Sequence, residues 1–139
     1  MLRLGKLTDY ALLITSEMAR QQDKLLSTTE LADRLHLSAT TVSKILKMLS
    51  DAHLVTSQRG VDGGYLLAKQ AEKITVADII AAMEGALSIT ECCEQSGRCS
   101  IDSLCRMREN FRVINQKIHA VLVQLTIVDL LKPLGSRYN

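Results

Sequence analysis

A chain of 139 residues suits one compact domain with room for an appended arm, and an apolar content of 47% excludes a disordered polypeptide. A net charge of +2 is too small to name a partner, so nucleic-acid binding has to be argued from local clusters of Lys and Arg. The opening apolar run is broken by Thr8, Asp9 and Thr15, and no stretch approaches the roughly 18 apolar residues that cross a bilayer; a soluble, cytoplasmic protein with no membrane partner is expected.

In chain order, Leu7, Ala11, Ile14 and Met18 repeat at the spacing of an amphipathic helix, which "QQDK" then breaks. Ser27 and Glu30 form a capping-box pattern at the start of a short second helix with Leu31, Ala32 and Leu35 inward, ending near His36. Ser38 is the next expected N-cap. Val42, Ile45, Leu46 and Leu49 make the buried stripe of a third helix, and Thr40, Thr41, Ser43, Lys44 and Lys47 occupy its other face. Two short helices joined by a tight turn predict a helix-turn-helix, whose second helix can enter the major groove.

The segment "LVTSQRGVDGGYLLA" reads as strand, glycine-rich turn and strand, from Leu54 to Gln58 and from Tyr65 to Ala68. A hairpin placed directly after a recognition helix is a wing, and Arg59 at its tip can reach a phosphate or the minor groove, with Gly60 permitting close approach. Thr75 and Asp78 give a second capping box, opening a helix through Val76, Ile79, Ile80 and Met83 that Gly85 ends. Beyond a cysteine-bearing loop, Leu104, Met107, Phe111, Ile114, Ile118, Val121, Leu125 and Val128 alternate spacings of three and four, a heptad seam that wants a partner helix. A helix of about 25 residues would be roughly 37 Å long, more than this domain can cover, so a homodimer through it is expected. The fold class is therefore mainly α: a winged helix-turn-helix with a small β-hairpin wing over residues 1–85, a cysteine loop over 86–103, a long dimerisation helix over 104–131 and a tail over 132–139.

All four cysteines, Cys92, Cys93, Cys99 and Cys105, lie in "ECCEQSGRCSIDSLC". In a reducing compartment such a cluster points to metal or redox chemistry before disulfides. The C-x5-C-x5-C spacing from Cys93 lacks the C-x2-4-C knuckle of most structural zinc sites, and Ser96 and Gly97 make its first segment adaptable. An iron–sulfur cluster, which takes thiolates from along a loop, is the leading expectation; structural zinc is the alternative. A thiol oxidoreductase is disfavoured, since there is no C-x-x-C, and no enzyme activity is expected.

The wing sequence "RGVDGGYLL", the cysteine spacing ahead of a long helix and the opening "LTDYAL" together resemble the Rrf-type (IscR/NsrR-like) winged-helix iron–sulfur transcription regulators, from about Leu4 to Leu131. The resemblance implies that Cys93, Cys99 and Cys105 ligate a 2Fe-2S or 4Fe-4S cluster. It further implies that Ser38, Thr40, Thr41 and Lys44 open the recognition helix, and that Arg59 and Gly60 meet double-stranded DNA from the wing. Where IscR-like members carry a histidine three residues after the last cysteine, this chain has Arg108, which cannot ligate iron. Asp9 of the other subunit is the implied fourth ligand, with Cys92 or solvent as rivals; Cys92 is set back because neighbouring side chains tend to diverge. The doubled cysteine and "CRMRENFRVINQKI" are most similar to the branch that regulates the SUF cluster-assembly operon, which implies a repressor; nitric-oxide or redox sensing is the alternative within the family.

Overall fold

The computed structural model describes residues 3–94 and 99–135. Helices α1 (Lys6–Arg20), α2 (Thr28–Leu35), α3 (Ala39–Asp51) and α4 (Val76–Glu84) surround a core built from Ile14, Leu31, Ile45, Leu46, Leu49 and Ile79, and the hairpin β1 (Val55–Gln58) and β2 (Gly64–Leu67) projects beyond α3. Both capping boxes form. Ser27 Oγ accepts from the Glu30 N–H at 3.1 Å while Glu30 Oε2 accepts from the Ser27 N–H at 2.9 Å, and Thr75 and Asp78 repeat the exchange at the head of α4. The Ser27 N–H is also the main reason the Glu30 carboxyl sits below its ordinary pKa. His36 ends α2 in the left-handed region, and the chain turns directly to Ser38, the N-cap of α3.

The strands pair antiparallel, Val55 opposite Leu67 and Gln58 opposite Gly64, and Leu26 exchanges two backbone hydrogen bonds with Tyr65 on the far side of β2. That third rung explains one glycine of the "DGG" turn: a Cβ on Gly64 would stand 2.8 Å from the Leu26 carbonyl oxygen. Gly64→Ala should cost about 1–3 kcal/mol in denaturant unfolding, as overpacking against backbone does; an unchanged midpoint would mean that Leu26 does not close on this strand.

The C-terminal half departs from the expected single helix over 104–131. A one-turn helix α5 (Glu91–Glu94) precedes α6, which runs only from Arg108 to Gln124, about 25 Å. Leu104 and Met107 lie before α6 in turns, and Leu125 and Val128 lie after it. The physical reason for the stop is a capping exchange that mirrors Thr75 and Asp78: Thr126 N–H donates to Asp129 Oδ2 at 2.9 Å and Thr126 Oγ1 accepts from the Asp129 N–H at 3.4 Å. Leu125 becomes extended, its carbonyl accepts from Val76 N–H at 2.8 Å, and Ile127 N–H donates to the Ile74 carbonyl at 3.0 Å. Ile127 is thereby fully buried among the core residues of the winged domain. A 3-10 turn covers Asp129–Leu131, and of the expected tail over 132–139, residues 136–139 lie outside the described residues.

Candidate functional site

Two regions carry the chemistry. On α3, Ser38 Oγ accepts from the Thr41 N–H at 3.2 Å and donates to Thr41 Oγ1 at 2.8 Å, so these two hydroxyls are engaged with each other in the cap. Thr40 and Lys44, one helical turn apart, and Lys47 after them share the exposed face of α3. Arg59 and Gly60 are exposed at the hairpin tip, where Gly60 takes φ 123°, a conformation that needs glycine. Arg34, by contrast, is committed within the fold: its Nη1 donates to Glu17 Oε1 at 2.9 Å and ties α2 to α1. The free face of α3 and the exposed wing tip thus carry hydroxyls, cations and an open backbone, the equipment for reading a groove and holding phosphates.

The second region is the loop between α4 and α6. Its entry is tied to α6 by Asn115, whose Nδ2 donates to the Leu87 carbonyl at 3.0 Å and whose Oδ1 accepts from the Ile89 N–H at 3.1 Å. Its exit is tied by an ion pair at 3.1 Å between Asp102, which lies between the last two cysteines, and Arg108 at the start of α6. Arg108, the departure from the histidine of IscR-like proteins, is here a part of the loop's scaffold. Cys93 lies in a shallow pocket with Arg112, Asn115 and Gln116 of α6.

The thiols suit iron–sulfur ligation in kind, because all four are half-buried and none forms a disulfide among the described residues. They are not gathered: among the described residues no three His, Cys, Asp or Glu side chains form a group that could hold a metal ion. Ser96 and Gly97, expected to give the loop its freedom, lie outside the described residues. Asp9 is exposed on the first turn of α1. Cys92 and Cys93 share a neighbour, Thr90 Oγ1, which lies 3.1 Å and 3.2 Å from their sulfurs.

One tie was invisible to sequence reasoning. Glu84, the last residue of α4, accepts at Oε1 from the Gly5 N–H at 2.6 Å and from Thr8 Oγ1 at 2.5 Å, pinning the start of α1, with Asp9 next to Thr8, to the point where the cysteine loop departs. No local pattern announces it.

The chain matches the Rrf2 family model, described as an iron-dependent transcriptional regulator, over residues 4–133. It is 30% identical over 131 residues to the HTH-type transcriptional repressor NsrR of Streptomyces coelicolor, covering 93% of this chain and 88% of that one. Among solved structures it is similar to CymR, the global cysteine regulator of B. subtilis, with 30% identity, TM-score 0.75 and coverage of 94% and 97%. It is also similar to T. potens IscR, with 26% identity, TM-score 0.72 and coverage of 94% and 86%. With a winged helix-turn-helix and a match spanning nearly its whole length, the chain belongs to the Rrf2 family: it is a transcriptional regulator that binds DNA, and not an enzyme.

Proposed function

We propose that two copies of this chain associate through α6, bind a double-stranded operator as a homodimer, and repress SUF-type cluster-assembly genes according to whether the cysteine loop carries an iron–sulfur cluster. The observation that carries this reading is the position of the loop: four free thiols stand on a segment fastened to α6 by Asn115 and Arg108, between the winged domain and the helix that would join the two subunits. Cys93, Cys99 and Cys105 are the proposed ligands in one subunit and Asp9 of the other supplies the fourth, a labile oxygen donor suited to a 2Fe-2S or 4Fe-4S sensor. When bound, such a group supplies a centre whose loss or conversion is the signal.

Dimerisation is supported by the character of α6. None of its residues is buried in the single chain, and Val113, Ile114, Val121 and Val123 are each between 42% and 55% exposed, a poor arrangement for a helix that stays alone. Loop and helix move as one through Asn115, so a change in the loop alters how the two recognition helices are presented, and each 1.4 kcal/mol of difference shifts operator occupancy about tenfold.

The test is footprinting of anaerobically isolated and cluster-free protein on the promoter of the chain's own operon. Protection of a pseudo-palindrome with half-sites about 34 Å apart, changing with cluster content, is expected; equal protection by both forms would remove the sensing role. Arg59→Ala should weaken binding to all sequences alike and lower the salt slope by about one, whereas Thr40→Ala should change sequence preference. An unaltered affinity and salt slope for Arg59→Ala would overturn the wing assignment.

A further inference from the structure

Cys92 has no part in the proposed ligand set, yet its sulfur is held in place. Thr90 organises a tight turn around it: the Thr90 carbonyl accepts from the Cys93 N–H at 2.9 Å and from Ser88 Oγ at 2.7 Å, and the neighbouring Ile89 N–H is fixed by Asn115. The Thr90 hydroxyl then lies 3.1 Å from Cys92 Sγ and 3.2 Å from Cys93 Sγ, so the two sulfurs stand within two hydrogen-bond lengths of one another. Consecutive helical residues ordinarily point about 100° apart, and here one hydroxyl lies within reach of both sulfurs. Both thiols are half-buried, shaped by their turn and still reachable from solvent.

We propose that Cys92 and Cys93 form a vicinal dithiol site for a trivalent, thiophilic organoarsenical, open whenever Cys93 is not otherwise ligated. Two neighbouring soft donors match a centre with two exchangeable bonds. Among the described residues no third His, Cys, Asp or Glu completes a metal-holding group with them, so the pair lacks the four donors that structural zinc requires. Capture needs no oxidant. With phenylarsine oxide, two S–H bonds and the arsenic–oxygen bond break, two As–S bonds form, and the oxygen leaves as water carrying both protons; arsenic stays trivalent. The second As–S bond forms within one molecule, and such closure strengthens retention by on the order of a hundredfold over a single thiol.

The site is independent of whether the loop ever carries a cluster, so its test uses reduced, cluster-free, full-length protein and phenylarsine oxide. Intact-mass spectrometry in excess monothiol should show one retained equivalent on the unaltered chain and on Cys99→Ser and Cys105→Ser, and roughly a hundredfold weaker retention on Cys92→Ser and Cys93→Ser. Far-UV circular dichroism establishes that each variant is folded. In the unaltered chain, bound arsenical should protect Cys92 and Cys93 from iodoacetamide and leave Cys99 and Cys105 reactive. Retention on Cys92→Ser, loss from Cys99→Ser, or protection of Cys99 or Cys105 in place of Cys92 would overturn the assignment.

Discussion

Protein carrying Cys99→Ala, isolated without oxygen, should be colourless where the unaltered chain is brown. Each thiolate in the proposed set closes one iron corner, and its loss leaves that corner to water, so Cys93→Ala and Cys105→Ala should behave in the same way. Cys92→Ala should keep most of the visible absorption. Asp9→Ala should still assemble on three thiolates, with an altered spectrum and altered lability towards oxygen or nitric oxide, because an oxygen ligand governs both access and potential. Mixed dimers locate that ligand. In a dimer pairing a Cys93→Ala subunit with an Asp9→Ala subunit, the one complete set of thiolates keeps its aspartate if ligation crosses between subunits, and lacks it if ligation stays within one subunit. A spectrum like that of the unaltered protein at half intensity supports crossing; one like the Asp9→Ala homodimer refutes it. Full absorption in Cys99→Ala would remove the ligand set itself.

Ile127→Ala should destabilise the protein by about 2–5 kcal/mol, and Ile127→Val by about 0.5–1.5 kcal/mol, in urea unfolding at fixed protein concentration. Ile127 is fully buried against the winged domain, so shortening it leaves a cavity in the same core that holds Ile74 and Ile79. Val61→Ala at the fully exposed wing tip is the control, expected within about 0.5 kcal/mol of the unaltered chain. In a continuous helix over 104–131, Ile127 would fall off the seam of Leu125 and Val128, and its truncation would cost little. Equal stabilities for Ile127→Ala and Val61→Ala would therefore restore the continuous helix.

This contrast marks where sequence reasoning succeeds. Ser27 with Glu30 and Thr75 with Asp78 are local patterns whose partners sit three residues apart, and both helices begin where those patterns place them. Thr126 and Asp129 carry the same signature, overlaid in the sequence by a longer apolar periodicity running through Leu125 and Val128. The wing was legible because its glycines are demanded by backbone conformation and close approach. The ties that define the candidate site were not. Glu84 reaches back 79 residues to Gly5 and Asn115 reaches back 28 to Leu87, and such partners are set only by how the helices stack. The shared contact of Cys92 and Cys93 depends in turn on a threonine hydroxyl whose direction the Asn115 clasp helps to fix.

Thr75, at the head of α4, and Thr126 face one another across an antiparallel bridge, so the chain re-enters the DNA-reading body beside the start of the last helix that the body contains. The excursion that departs after α4, with its thiols and α6, is a loop that leaves from one helix of the body and returns beside the head of that same helix. For such a loop, doubling the length adds only about 0.6 kcal/mol to the entropy of closure. Residues can be added to or removed from the cysteine segment at little expense to the body that grips DNA. The cysteine segment and the DNA-reading body of this small protein can therefore be retuned one at a time.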